Sequence, residues 1–275
     1  MKRKIVVTIA VYFIVAIAIF FALLPLIWTF LTSFKTPVDA TANPPKWIFI
    51  PTLENYIKVF SEEKFPLYLS NSLIISTTCA ISLLLIVFPA AYSLARFKIH
   101  GKEDILFWLL STRITPPVII LIPIFIIFKN LNLLDTYPAI ILMHMCINLP
   151  LALWMLLSFF EGLPKDIEEA AMVDGCSHLG VLLRIVLPLA LPGIAVTTLL
   201  CFLFSWNEVL FALILTGLNT KTASIAIYNY LTWVEIKWGE LSSAAILIML
   251  PPILITFLAQ KYIVRGLMIG GALKR

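Results

Sequence analysis

Six stretches of this chain run for 20 residues or more with no charge or only one: 5–34, 65–95, 105–128 (interrupted by Arg113), 136–160, 185–216 (interrupted by Glu208) and 241–260. A helix needs about 20 apolar residues to cross the hydrocarbon core of a bilayer. The runs are continuously apolar and do not alternate, so they predict helices and not the strands of a barrel. Composition agrees. The chain has 275 residues, 61% hydrophobic and 13% charged, against about 25% charged in a soluble domain. The expected fold class is an all-α integral membrane protein with six transmembrane helices.

The net charge of +5 bears on orientation, because Lys and Arg accumulate on the cytoplasmic side. An N-in, C-in arrangement places Lys2, Arg3, Lys4, Arg96, Lys98, Lys102, Lys165, Arg184, Lys261, Arg265, Lys274 and Arg275 inside. It leaves Lys35, Lys46, Lys58, Lys64, Lys129, Lys221 and Lys237 outside, twelve against seven. The apolar run at the N-terminus exceeds the 7–15 residues of a signal-peptide core, so it reads as a first, uncleaved span. The three prolines Pro116, Pro117 and Pro123 predict a kinked or broken third helix. Expected spans are about 5–33, 67–95, 104–128, 137–161, 192–216 and 241–263. Cys79, Cys146, Cys176 and Cys201 lack metal spacing and read as small apolar residues, not disulfides.

One charged segment stands out on the inner side, IEEAAMVDGCSHLGVLLRIVLP at 167–188. Pro164, Asp166, Glu168 and Glu169 suit a helix start. Gly175 suits the left-handed residue past a helix end, and Ser177 suits the cap of a second helix. A helix, a tight turn and another helix are expected. Ala170 and Ala171 leave a flat surface, while Glu168, Glu169 and Asp174 offer acceptors to a basic partner. The same pattern also fits an ordinary solvated loop.

Glu169-Ala170-Ala171, then Asp174-Gly175-Cys176, then Ile185-Val186-Leu187-Pro188 resembles the EAA motif of inner-membrane permeases from binding-protein-dependent ABC importers. NPPKWIFIPTLENY, ARFKIHGK, SWNEVLFALILTG and QKYIVRGLMIGGALKR are similar to the maltose-type, carbohydrate-uptake branch, second-permease type. Two departures are visible: Gly175-Cys176 stands where the family usually has Gly-Ala, and the tail from Met268 to Lys274 lacks the usual Thr-Ala-Gly-Ala-Val-Lys-like stretch.

The resemblance implies a type I ABC importer permease fold in the cell (inner) membrane. It divides the chain into a first helix plus outer segment (1–66), a core of five helices (67–263) with a coupling loop at 161–190, and a cytoplasmic tail (264–275). It implies a second permease, usually a different chain, two ATP-binding subunits and an extracytoplasmic solute-binding protein. Glu168, Glu169, Ala170, Ala171, Asp174, Gly175, Leu187 and Pro188 would couple to the ATPases, which use ATP and Mg. The chain itself has no phosphate loop of the G-x-x-x-x-G-K-[ST] kind, so it is expected to be a transport subunit and not an enzyme, with no cofactor or metal of its own. The loop ahead of the last span would face the binder through Tyr228, Asn229, Tyr230 and Trp233.

Polar groups at membrane depth are functional candidates by default. Arg113, Asn148, Ser205, Asn207 and Glu208 are therefore candidates for the path of a sugar or polyol, or else groups that hold the bundle together. Arg113 and Glu208 could pair only if helices tilt or kink. His144 reads as a satisfied core residue. An ABC permease for a non-sugar solute is the nearest alternative. An ion-coupled secondary transporter is the other, but it would need paired repeats and carboxylates on an ion path, and only Glu208 is a mid-span carboxylate.

Overall fold

A computed structural model describes residues 2–61, 64–231 and 235–272, with side chains over 8–61, 64–231 and 235–261. The described residues are helical apart from turns, irregular stretches of which 41–53 is the longest, and an isolated bridge between Leu231 and Ile236. Five helical stretches are long and apolar enough to cross a membrane: Thr8–Thr32, Phe65–Arg96, Tyr137–Glu161, His178–Trp206 and Trp238–Lys261. A sixth is bent, Lys102–Ile114 followed by Pro117–Asn130 at 92°. The break falls at Thr115 and Pro116, where proline removes a donor and disfavours helical backbone in the residue before it.

In chain order, α1 is Lys2–Thr32, α2 Pro37–Ala40, α3 Glu54–Ser61, α4 Phe65–Arg96 and α5 Lys102–Ile114. A 3-10 turn, Pro117–Ile120, leads into α6, Leu121–Asn130. Then come α7 Tyr137–Glu161, α8 Asp166–Val173, α9 His178–Val181, a π-helical turn Leu182–Val186 and α10 Leu187–Trp206. The chain closes with α11 Leu210–Leu215, α12 Ala223–Ala226, a 3-10 turn Ile227–Tyr230 and α13 Trp238–Ala272.

The fifth span departs from the sequence reading of 192–216. It starts at His178 and ends at Trp206, and residues 207–209 break it before α11. Glu208 explains the break. Its Oε1 accepts from the Phe211 N–H at 3.0 Å and its Oε2 from the Ala212 N–H at 3.0 Å, so it caps a new helix. The start is earlier because α9 runs unbroken into α10 through the π turn. Pro188 has no N–H to give, and the Leu187 N–H reaches back to Leu182 O, five residues away.

The chain forms two compact units, 1–67 with 226–250, and 68–225 with 251–275. In the first, the Asn55 amide donates to Ser33 O and Lys35 O at 2.9 and 2.8 Å, and Ser243 Oγ donates to Ser33 O at 3.1 Å. These bonds satisfy carbonyls left open past the end of α1. Lys35 is fully buried with its ammonium 3.8 Å from the Trp28 ring centroid. The second unit is built around α7 and α10. They approach closely at Gly193, where an added Cβ would lie 2.5 Å from the Phe159 ring. Ile75, Ile140, Met143, Phe211 and Leu215 form an apolar cluster beside them.

Candidate functional site

The charged segment folds as its residue types predict. α8 carries Asp166, Glu168 and Glu169 in its first turn. Its end is a Schellman turn: Cys176 N–H donates to Ala171 O and Gly175 N–H to Met172 O, both at 3.0 Å. Gly175 has φ +90°, which a residue with a side chain reaches only with strain. Ser177 Oγ accepts from the Gly180 N–H at 3.2 Å and so caps α9. The elbow presents Glu169, Ala170, Asp174 and Gly175 to solvent, with Ala171 and Leu187 half-buried and Pro188 exposed. Val173 and Leu179 are 88% and 64% exposed, so the surface is apolar at its centre and acidic beside it.

Glu168 corrects the sequence reading. It is buried and does not face outward with Glu169. Its Oε1 accepts from Arg96 Nε and Nη2 at 2.8 and 2.7 Å, and its Oε2 accepts from Tyr92 OH at 2.9 Å. Arg96 Nη2 also donates to Leu163 O at 3.2 Å. Consecutive residues on a helix point about 100° apart, so two adjacent glutamates divide the work: one anchors, the other stays free. The pair is almost dry, at 8% and 6% side-chain exposure. Severing such a pair costs about 3–5 kcal/mol, against about 0–1 kcal/mol for an exposed one. The neighbouring Lys102–Glu161 bridge is of the exposed kind, at 25% and 49%. The elbow is therefore held to the end of α4 by Arg96 and Tyr92, backed by Tyr92 and Phe88 packing on Phe160 and by Phe97 on His178. Neither Arg96 nor Tyr92 was a candidate in the sequence, because their partner lies 72 and 76 residues away.

Of the five polar candidates in the spans, three come together. His144 is fully buried, with Nδ1 2.7 Å from Ser205 Oγ and Nε2 3.2 Å from Glu208 Oε2, and Asn148 donates to His144 O at 3.0 Å. His144 is the centre of this knot and is satisfied on both nitrogens. Glu208 is committed to His144 and to the start of α11, so it makes no pair with Arg113. Asn207 is exposed and donates to Leu203 O. Arg113 is exposed at the end of α5, its Nη2 3.4 Å from Ile147 O and its guanidinium 5.6 Å from the Phe204 ring. It lines a cavity of about 590 Å³ at the broken helix, with Thr112, Thr115, Met143, Cys146 and Phe211.

In the loop ahead of the last span, Tyr228 is exposed and Asn229 half-buried. Tyr230 is fully buried, its ring 6.3 Å from that of Phe65, so it packs inward and is not displayed. Trp233 lies outside the described residues.

A second polar centre was not anticipated. Asp135, between α6 and α7, receives the N–H groups of Gly217, Asn219 and Thr220 at 2.8, 3.1 and 2.9 Å, and also the Thr220 hydroxyl and the Asn219 amide. Burial pushes its carboxyl up, but these donors outweigh burial and hold it below its ordinary 3.8. Asn71 extends the centre, donating to Asn219 O and Lys221 O and accepting from Tyr137 OH at 2.7 Å.

Comparison with known proteins gives this geometry a context. The family described as "Binding-protein-dependent transport system inner membrane component" matches residues 88–269. The trehalose/maltose transport system permease protein of Thermococcus litoralis is 37% identical over 92% of this chain and 91% of its own. The sulfoquinovosyl glycerol transport system permease protein of Agrobacterium fabrum is 36% identical over 90% and 88%. Among solved structures, a bacterial ABC transporter involved in the import of the acidic polysaccharide alginate matches with TM-score 0.80 at 22% identity, covering 96% of this chain and 98% of that one. That last likeness is one of fold.

Proposed function

This chain belongs to the binding-protein-dependent transport system inner membrane components, and from that premise we propose that it is one permease of an ATP-driven sugar or polyol importer. The chain is a multi-pass membrane protein. In the proposed arrangement it crosses six times with both ends inside, the bent pair of α5 and α6 making one crossing. A second permease completes the path. An extracytoplasmic binder delivers the solute, and two ATP-binding subunits drive the cycle with ATP and Mg. The carbohydrate assignment is supported by the solutes in the names of the two relatives.

One observation carries the coupling role. The elbow turns one glutamate inward onto α4 and leaves a small-residue, apolar and acidic face open. A docking lever needs both parts, a surface for the partner and a rigid joint to the gate. An ATPase gripping Glu169, Ala170, Ala171, Asp174 and Gly175 would move the elbow, and Glu168 would pass that displacement through Arg96 and Tyr92 into α4. Leu187 and Pro188, after the π turn, pass it into α10. Such a motion shifts a two-state permease between inward-open and outward-open forms. The cavity beside Arg113 is the part of this chain that would line the path. Tyr228 and Asn229 remain the residues that would meet the binder.

The experiment is reconstitution of the permease pair, the ATPases and the binder in vesicles. Uptake that requires ATP and the binder is the expected result. Uptake by the purified chain driven by an ion gradient, with no ATPase present, overturns the reading. ATP-driven uptake of an amino acid or phosphodiester with no sugar transport overturns the carbohydrate assignment alone.

A further inference from the structure

Beside the elbow lies a cavity of about 540 Å³ lined by Arg96, Phe97, Lys98, His100, Lys102 and Lys165. Among the described residues, no Asp or Glu lines it. Two of its cations are neutralised, Arg96 by Glu168 and Lys102 by Glu161. Lys98 and Lys165 are exposed, and neither has a carboxylate in ion-pair range among the described residues. Arg96 adds a second, independent signal. Its side chain is 8% exposed, Nε and Nη2 are occupied, and Nη1 is buried with no hydrogen-bond partner. Arg96 keeps a buried guanidinium N–H without an acceptor, which is costly, and an anion in the cavity that Arg96 lines would stabilise that guanidinium through its charge.

The position of the cavity selects the kind of anion. It sits where α4 ends and α5 begins, at the ends of two membrane-crossing segments. On the first two turns of α5, Ile105, Phe107 and Trp108 are exposed at 45%, 75% and 71%, an apolar surface suited to acyl chains. Basic pockets at this depth suit the phosphate of anionic lipids. We infer that this cavity is a headgroup site for an anionic phospholipid of the inner leaflet, whose phosphate is held by the exposed Lys98 and Lys165 beside the Arg96 guanidinium. The bound phosphate sits against the same guanidinium that anchors Glu168, and so stiffens the joint between α4 and the elbow. The inference rests on the orientation proposed above, with this end facing inward.

The test uses the full transporter in a neutral detergent, titrated with short-chain phosphatidylglycerol and followed by native mass spectrometry. Lys98→Gln and Lys165→Gln each weaken binding, by roughly fivefold per lysine removed. Lys98→Arg restores it, and Lys129→Gln, at the far end of α6, leaves it unchanged. Folding is checked on each variant by thermal unfolding. Equal affinity in wild type and the Lys98 and Lys165 variants overturns the site. So does an equal loss in the Lys129 variant, which would mean diffuse charge. Inorganic phosphate that displaces the lipid at matching concentration replaces the lipid assignment with a free-anion site. Loss of the ATPases with lipid binding unchanged makes the patch a protein contact. Wild type that couples uptake to ATP but retains no phosphatidylglycerol sinks this inference and leaves the importer standing. Retained lipid with no ATP-driven uptake does the reverse.

Discussion

Two carboxylates, Glu168 and Asp135, each tie together parts of the second unit that are far apart in sequence, and they do it by different physics. Glu168 is held by one arginine and one tyrosine, so its anchor is a charge pair between long side chains. Asp135 is held mainly by backbone N–H groups of a single turn, so its anchor depends on loop shape. The first joins two helices and can carry displacement. The second ties the turn before α7 to the loop after α11 and keeps both in place. A dry ion pair resists pulling but is lost with either partner. A cradle of several donors degrades in steps, each hydrogen bond to a charged group contributing about 1.5–3 kcal/mol.

The largest expected effect tests that difference directly. Arg96→Ala leaves Glu168 buried and uncompensated and should cost about 3–5 kcal/mol, read as a fall in thermal unfolding temperature. Arg96→Lys keeps the charge but has one ammonium where two guanidinium nitrogens reach Oε1, and should fall between. A variant as stable as wild type would remove the latch from the account. Asp135→Asn should cost less, about 1.5–3 kcal/mol. Its pH dependence has a definite sign. The folded carboxyl is held below 3.8, so its contribution is complete above that value and is lost as pH falls through the lower folded value. Unfolding curves taken downward from pH 5 should lose this slope in the Asn variant.

Gly175→Val forces a branched side chain into left-handed backbone at about 1–2 kcal/mol. The assembled protein should survive this, but sugar moved per ATP hydrolysed should drop. Unchanged coupling would separate the turn from the lever. Glu169→Lys is the smallest for the fold, within about 0.5 kcal/mol at an exposed site. Its effect belongs to the partner: ATPase co-purification should fall, whereas Arg96→Ala acts first on the permease itself. Equal co-purification would put Glu169 outside the docking face.

How much of this was legible in the sequence follows from the range of each interaction. The apolar runs mark the spans because crossing a bilayer is a property of about 20 consecutive residues. The proline cluster marks the bend because Pro116 and Pro117 act on their own neighbours. Gly175 and Ser177 mark the elbow for the same local reason. The break after Trp206 is not legible in the sequence, because 185–216 reads as one apolar run. Only the carboxylate of Glu208, turned onto the N–H groups of Phe211 and Ala212, ends it. Tyr230 reads in the sequence as a displayed aromatic, but its packing on Phe65, far earlier in the chain, turns it inward.

Lipid-crossing character and the helix–turn–helix elbow were thus decided by neighbours a few residues apart, where backbone geometry and hydropathy leave little choice. Which of two adjacent glutamates turns inward, which cation meets it and which turn wraps Asp135 were decided only when helices distant in sequence packed together. The reason is that a dry charge takes whichever partner packing brings within reach, and for Glu168 that partner lies 72 residues away.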